Sequence, residues 1–397
     1  MNILYFHQHF STPQGSTGMR SYFLSKNLIK NNHEVIMVCG SYGSSTTGLS
    51  NDFKFGKREG RVDGIRVIEL NIEYSNNMNF FRRSVSFISY ALRCSLIALT
   101  EKYDVVVASS TPLTASIPAF FSKLLRRKKF VFEVRDLWPE LPKAMGVIKN
   151  PITLFLLGIL ERLSYILADR CVGLSQGISN GIEKKSPQGK PIFTIPNGCD
   201  NLFKIVSNEE HEEKTEFNLI YSGTHGIANG LDYLLDISHD LYEADQDIKI
   251  LLVGDGMKKK PLMQRAKEDN LKNIIFLDPL SKDQLFNLYS RCDIGLQILD
   301  NIPAFYHGTS PNKFFDYMTA GLPVINNYPG WIADEISNKK CGFFVNPTKK
   351  KSFVDAVLKV KNNPVLHKEM KKNCSLISEK YDRSKLAEKW RKVVTEW

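Results

Sequence analysis

Ser310-Pro311-Asn312-Lys313-Phe314-Phe315-Asp316-Tyr317-Met318-Thr319-Ala320-Gly321-Leu322-Pro323-Val324 joins a loop offering one cation to a short helix carrying one acid, and Gly321-Leu322-Pro323 stops that helix before the apolar pair Val324-Ile325. A carboxylate near a helix start accepts both hydroxyls of a ribose, while a lysine and unbonded helix N–H groups hold a diphosphate. Ser310, Asn312, Lys313 and Asp316 are therefore candidate contacts to a nucleoside diphosphate bearing a sugar.

Around this stretch, short apolar runs alternate with longer amphipathic ones, the pattern of parallel strands joined by crossover helices. Strands are expected at 2–7, 34–39, 65–70, 105–108, 130–134, 171–174 and 192–195, and in a second series at 218–222, 249–253, 274–276, 294–296, 324–325 and 342–345. That count predicts an α/β protein of two doubly wound, Rossmann-like halves. The seam is expected at 196–203 and a solvated linker at 207–216. The first domain is read as residues 1–200 with a returning C-terminal helix at 383–397, the second as 201–382. The chain of 397 residues is long enough for two such cores.

Gly15-Ser16-Thr17-Gly18 lies between the first strand and the run 19–30, where glycines allow close backbone approach to a ligand. The same residues also suit a tight turn. Arg20 either reaches a phosphate or is a solvated helix arginine. Tyr221-Ser222-Gly223-Thr224-His225-Gly226-Ile227-Ala228-Asn229-Gly230-Leu231 repeats the arrangement in the second half. Its Gly223, Thr224 and His225 are candidate phosphate contacts, with a backbone-bonded turn histidine as the other reading of His225. Gly254 in Val253-Gly254-Asp255-Gly256, and Leu277 before Asp278-Pro279, end strands at the ligand-binding edge of an open sheet. Asp255 and Asp278 also read as ordinary turn acids.

Phe132-Glu133-Val134-Arg135-Asp136-Leu137-Trp138-Pro139-Glu140 gathers four ionisable groups at a strand exit. Asp136 can orient or deprotonate a hydroxyl there, and Arg135 can bind a pyrophosphate. The other reading is an Arg–Asp pair bracing a loop. His7 and His9 share a strand face, and without a third ligand nearby they are read as hydrogen-bonding groups rather than a metal site.

Charge and cysteine usage narrow the class. Residues 1–200 hold 25 Lys and Arg against 15 Asp and Glu, whereas residues 201–397 hold 28 against 27, so +10 of the net charge of +11 resides in the first half. That bias fits an anionic membrane or a pyrophosphate-linked substrate, and no zinc spacing or other nucleic-acid signature accompanies it. Seven scattered cysteines without a Cys-x-x-Cys pair fit reduced thiols in the cytoplasm, and no secretion signal is expected. Residues 79–99 place Phe81, Val85, Ile88, Leu92 and Leu99 on one helical face and Arg82, Ser86, Ser89 and Arg93 on the other, either for peripheral attachment to a membrane or for packing on the sheet. The apolar run 152–160 is too short to cross a bilayer.

Lys313-Phe314-Phe315-Asp316-Tyr317 followed by Gly321-Leu322-Pro323-Val324 resembles the donor-site helix of retaining glycosyltransferases of GT-B fold, family 4, whose usual text is K-x-x-E-x-x-A-x-G-x-P-V. The 135–142 and 223–231 segments are most similar to WbuB-like transferases of bacterial surface polysaccharide, such as O-antigen or capsule. The resemblance implies a UDP-sugar donor, with N-acetyl-L-fucosamine as the suggested sugar, and a polyprenyl-diphosphate-linked saccharide acceptor. It implies a site on the inner face of the plasma membrane, no metal or other cofactor, and backbone groups around Leu277 at the nucleobase. Oligomeric state is left open.

Two departures stand out. The family's arginine and lysine in the second loop are Thr224 and Asn229 here, and the first of its paired glutamates falls on Gly308, with His307, Thr309 and Ser310 as the nearest polar groups. A UDP-sugar 2-epimerase and a non-catalytic membrane scaffold are the alternatives on the same fold.

Overall fold

The computed structural model describes residues 1–15, 18–42, 46–75, 78–200 and 216–397. In chain order its elements are β1 (Asn2–Phe6), α1 (Arg20–Lys30), β2 (Glu34–Tyr42), β3 (Lys57–Val62), β4 (Ile65–Tyr74), α2 (Phe80–Thr100), β5 (Val105–Ser109), α3 (Ile117–Arg126), β6 (Lys129–Val134), α4 (Glu140–Ala144), α5 (Pro151–Leu167), β7 (Arg170–Gly173), α6 (Gln176–Lys185) and β8 (Ile192–Thr194). There follow β9 (Phe217–Ser222), α7 (Asp232–Ala244), β10 (Ile248–Val253), α8 (Lys259–Glu268), β11 (Ile274–Leu277), α9 (Lys282–Tyr289), β12 (Ile294–Gln297), α10 (Ala304–Gly308), α11 (Asn312–Thr319), β13 (Val324–Asn326), α12 (Trp331–Lys339), β14 (Gly342–Phe344), α13 (Lys350–Lys361), α14 (Pro364–Lys380) and α15 (Arg383–Thr395).

The chain divides into two compact units, Met1–Asn197 with His307–Ser310 and Arg383–Trp397, and Gly198–Tyr306 with Pro311–Asp382. In the first, the sheet order is β3-β4-β2-β1-β5-β6-β7-β8, and in the second it is β11-β10-β9-β12-β13-β14. Every pairing is parallel except β3 with β4. Parallel strands covered on both faces read as continuous apolar runs, and Ile3–Phe6, Val105–Ala108 and Phe130–Phe132 are fully buried accordingly. The C-terminal α15 belongs to the first unit, where Trp390 stacks on Tyr5 with ring centroids 5.6 Å apart and Arg170 donates to the Val393 carbonyl at 2.8 Å.

Three expectations change. The hairpin β3–β4 is absent from the sequence reading because Lys57–Val62 is a charged, half-exposed edge strand. Its turn, Asp63-Gly64, has positive φ at both residues (50° and 87°), the geometry of a two-residue hairpin. Residues 307–310 join the first unit instead of the second, where the Asn197 N–H donates to Ser310 Oγ at 3.1 Å and Asn197 Nδ2 to the Ser310 carbonyl at 2.7 Å. Of the two readings of the α2 stripe, packing on the sheet is not the one formed: the stripe faces outward, and a second apolar set, Tyr90, Ala91, Cys94 and Ala98, fills the core instead. The expected linker at 207–216 lies outside the described residues apart from Glu216, as do Ser16 and Thr17. Among the described residues no helix is long and apolar enough to cross a membrane, and all seven cysteines are buried thiols outside any disulfide.

Candidate functional site

In the second unit, three strand exits meet at the carboxyl edge of the sheet. The Gly223 N–H donates to the Val253 carbonyl at 2.9 Å and the Gly254 N–H to the Leu277 carbonyl at 3.1 Å. A Cβ on Gly254, whose φ is 141°, would sit 2.0 Å from the Gly223 oxygen, so only glycine lets these loops approach. Gly223, Gly254 and Leu277 thus share one rim. Thr224 is exposed, and its carbonyl accepts from Tyr221 Oη at 3.0 Å.

α11 delivers the cation to this rim. Tyr317 anchors the helix: its ring lies against Gly295, where a Cβ would be 2.6 Å away, and its hydroxyl donates to the Ile220 carbonyl at 3.1 Å. One turn earlier, Lys313 Nζ lies 4.3 Å from the Tyr221 ring centroid and donates to its hydroxyl at 3.1 Å. A Cβ at Gly223 would stand 3.4 Å from that ammonium. Among the described residues no carboxylate pairs with Lys313. Lost hydration, answered by a phenol alone, lowers its pKa to about 7. Pro311 precedes the helix and provides no side-chain cap, so the first N–H groups of α11, beginning with half-buried Asn312, have no capping side chain.

Several residues take other positions than the sequence predicts. Asp316 is not an open carboxylate: it is 6% exposed, and Lys282 Nζ holds its Oδ1 at 2.5 Å. Its Oδ2 makes no hydrogen bond among the described residues. Lys282 begins α9, set by a capping box of Ser281 and Gln284; no local signal ties it to Asp316, because the pairing is tertiary. His225 is fully buried, with its backbone N–H on the Asp255 carbonyl at 2.8 Å. Burial, reinforced by the Lys259 charge, lowers the imidazole to about 4, so His225, read as a candidate phosphate contact, brings no positive charge to the turn. Asp278 is a turn acid held by Lys259 Nζ at 2.7 Å. Ser310 is engaged by Asn197, as described above.

In the first unit, Arg20 is neither solvated nor open to a phosphate. It is buried, its Nε and Nη2 meet Glu133 Oε2 at 3.0 Å, and its Nη1 and Nη2 reach the carbonyls of Pro196 and Ile195 at 2.7 and 2.9 Å. Ser109 Oγ adds a 2.9 Å bond to the same carboxylate. Burial raises the Glu133 carboxyl, but Arg20 outweighs it and holds the pKa below the ordinary range. Glu133 therefore leaves the ionisable cluster, as a core brace. A Cβ on Gly15 would sit 2.2 Å from Ser11 Oγ, which gives that glycine a packing reason. Gly18 is half-buried one residue before Met19.

Arg135 and Asp136 face different partners. Arg135 Nη1 lies 2.8 Å from His7 Nε2, and His7 Nδ1 lies 2.7 Å from Ser21 Oγ. Burial, then the Arg135 charge, holds His7 neutral, so the guanidinium meets no compensating charge there. Among the described residues no carboxylate forms an ion pair with Arg135, and the bracing Arg–Asp pair is not formed. Asp136 Oδ2 accepts from Thr111 Oγ1 at 3.1 Å; burial raises its pKa, partly offset by Arg135. A carboxyl shifted upward beside a guanidinium that forms no ion pair among the described residues suits proton transfer near an anion. The His9 ring lies tilted against Tyr74, at 48° with centroids 4.5 Å apart.

Comparison with known proteins gives the family. Residues 204–375 match the family described as Glycosyl transferases group 1, and residues 18–201 match Glycosyltransferase Family 4. An uncharacterized glycosyltransferase of Haemophilus influenzae is 27% identical over 46% of this chain and 50% of its own length, so the match spans half of that relative. The alpha-1,3/1,6-mannosyltransferase ALG2 of Dictyostelium discoideum is 26% identical over 68% of this chain and 70% of its own. The solved structure of Alr3699/HepE of Anabaena in complex with UDP superposes with a TM-score of 0.70, at 15% identity, over 99% of both chains. The chain thus carries a region matching Glycosyltransferase Family 4 followed by one matching Glycosyl transferases group 1, each built on a Rossmann-like parallel sheet, the pair of domains of the glycosyltransferase GT-B fold.

Proposed function

We propose that the protein is a retaining glycosyltransferase that moves a sugar from a UDP donor to a polyprenyl-diphosphate-linked saccharide in surface polysaccharide synthesis, with N-acetyl-L-fucosamine as the suggested sugar. The observation that carries the donor half is the Lys313 ammonium, which lacks a carboxylate partner among the described residues and lies against Gly223, where the exposed Thr224 turn begins. That arrangement suits a diphosphate. Its likeness to a protein solved with UDP supports the choice of nucleotide.

In this reading the uridine lies along the rim of Gly254 and Leu277, and Asp316, its Oδ1 held by Lys282, offers Oδ2 to the ribose. Lys313 and the N–H groups of Thr224 and Asn312 hold the diphosphate, and neutral His225 packs behind the turn. The bond from the anomeric carbon to the β-phosphate oxygen breaks while the acceptor oxygen bonds to the same face of that carbon. The acceptor proton passes to the departing diphosphate, whose growing charge Lys313 stabilises. Asp136 orients the acceptor hydroxyl, and Arg135 binds the acceptor pyrophosphate. The reading assigns no step to a metal.

Calorimetric titration of UDP into wild type and Asp316→Ala tests the donor half. Binding by wild type and its loss in the variant are expected; no UDP binding by wild type would leave a non-catalytic scaffold as the better account.

A further inference from the structure

Helices α2, α3 and α5 of the first unit carry apolar side chains on their outer sides in addition to those they bury. Phe81, Leu92 and Leu96 of α2, Leu124 and Leu125 of α3, and Ile152 and Phe155 of α5 are 63–75% exposed. α3 packs against both α2 and α5, so the three outer faces adjoin. An apolar patch spread over three helices marks an interaction surface.

Charge selects the partner. The three helices contain one carboxylate, Glu161, which is buried and bonded to Tyr165 Oη at 2.9 Å and Lys185 Nζ at 2.8 Å. Their other charges are cationic, with Arg82 and Arg162 exposed. Beside α5 lies a pocket of about 590 Å3 whose wall includes Leu154, Phe155, Gly158, Lys143, Arg162 and Lys184. The wall's two carboxylates, Glu140 and Glu161, are both taken by Lys185, at 2.7 and 2.8 Å. Lys143, Arg162 and Lys184 have no carboxylate partner among the described residues. A Cβ on Gly158 would meet nothing within 4 Å, so the backbone of α5 lies open there. Three uncompensated cations beside an apolar wall complement a phosphate that carries hydrocarbon.

We propose that the outer faces of α2, α3 and α5 form one surface that docks on an anionic lipid bilayer, and that the pocket bounded by Lys143, Arg162 and Lys184 seats a lipid phosphate headgroup. The sequence expectation concerned α2 alone; the structure adds α3, α5 and the pocket. A surround with excess positive charge disfavours a second copy of the same face, since like charges would oppose, whereas it suits an interfacial site. The proposal stands apart from the donor reading, because docking needs no nucleotide.

The test is flotation of the full chain with vesicles of phosphatidylcholine alone or mixed with phosphatidylglycerol, with no donor or acceptor present. Wild type is expected to partition at least about tenfold more strongly onto the anionic vesicles, and less in high salt. Leu92→Glu combined with Phe155→Glu should cut that partition about tenfold or more, and Lys143→Glu with Lys184→Glu should do likewise. All four positions are exposed or on a pocket rim, and circular dichroism verifies folding. Wild type that ignores both vesicle types overturns the docking surface, as does equal partition of wild type and the apolar variant. Unchanged binding by the lysine variant overturns the headgroup seat. A vesicle-free dimer in ultracentrifugation that the apolar variant dissolves would assign the face to a second copy instead.

Discussion

If Lys313 grips the diphosphate, UDP binding must draw a proton from solution. The free protein holds Lys313 at a pKa of about 7, because the ammonium has lost water and has only a phenol hydroxyl and ring in its place. Against a diphosphate it returns toward the ordinary lysine value of ~10.4. Binding then takes up ~0.9 proton per UDP at pH 8, ~0.5 at pH 7 and ~0.1 at pH 6, and affinity falls ~tenfold per pH unit above about 7. Calorimetry at pH 8 in buffers of different ionisation enthalpy reads the uptake directly. Lys313→Ala should abolish it and weaken UDP by roughly 10- to 150-fold, the equivalent of about 1.5–3 kcal/mol for a charge-assisted bond. Lys313→Arg should bind without uptake, since a guanidinium stays charged. His225, at about 4, is already neutral across this range, so proton uptake from it would appear at lower pH. Uptake near zero in wild type, or undiminished in Lys313→Ala, would refute the reasoning. The same shift has a stability consequence: between about 7 and ~10.4 the unfolded chain binds more protons than the folded one, so the nucleotide-free protein should gain stability as pH rises through that window.

Three further outcomes are expected. Lys282→Met should destabilise the fold by about 3 kcal/mol or more in urea denaturation, because it leaves the Asp316 carboxylate nearly buried without its cation, and adding Asp316→Asn should recover most of the loss. Arg20→Ala should cost about 3–5 kcal/mol by leaving Glu133 buried alone. The Glu133 pKa is depressed in the folded state, so the pair's contribution is present above the unfolded carboxyl value and is lost as pH falls through the folded one, a loss the Arg20→Ala urea curves should lack. Asp136→Asn should slow transfer by about 100-fold or more in a radiolabel assay while UDP affinity stays at the wild-type value, since its carboxyl lies in the first unit beside Thr111.

The two sheets were legible because parallel strands buried on both faces write themselves as unbroken apolar runs, as Val105–Ser109 and Lys129–Val134 do. The edge strand Lys57–Val62 escaped notice because a half-exposed strand alternates with charge and resembles a loop. Periodicity also reported that α2 is amphipathic without reporting which apolar set the sheet covers; coverage depends on neighbours far along the chain. At the candidate site, the glycines and Lys313 were readable from strand–turn–helix punctuation. The partners of Asp316 and Arg20 were not, because Lys282 and Glu133 lie 34 and 113 positions away in sequence and only the fold brings them within bonding distance. The charge of His225 was hidden for the same reason: burial, and not residue type, determines it.

The central claim is sugar transfer with retained configuration, and the most direct test is to supply labelled UDP-sugars with a polyprenyl diphosphate saccharide and determine the anomeric configuration of the product by NMR. The account predicts that label enters the lipid fraction only when acceptor is present and keeps the donor's configuration. An inverted linkage, or an epimerised sugar formed from donor alone, would contradict it.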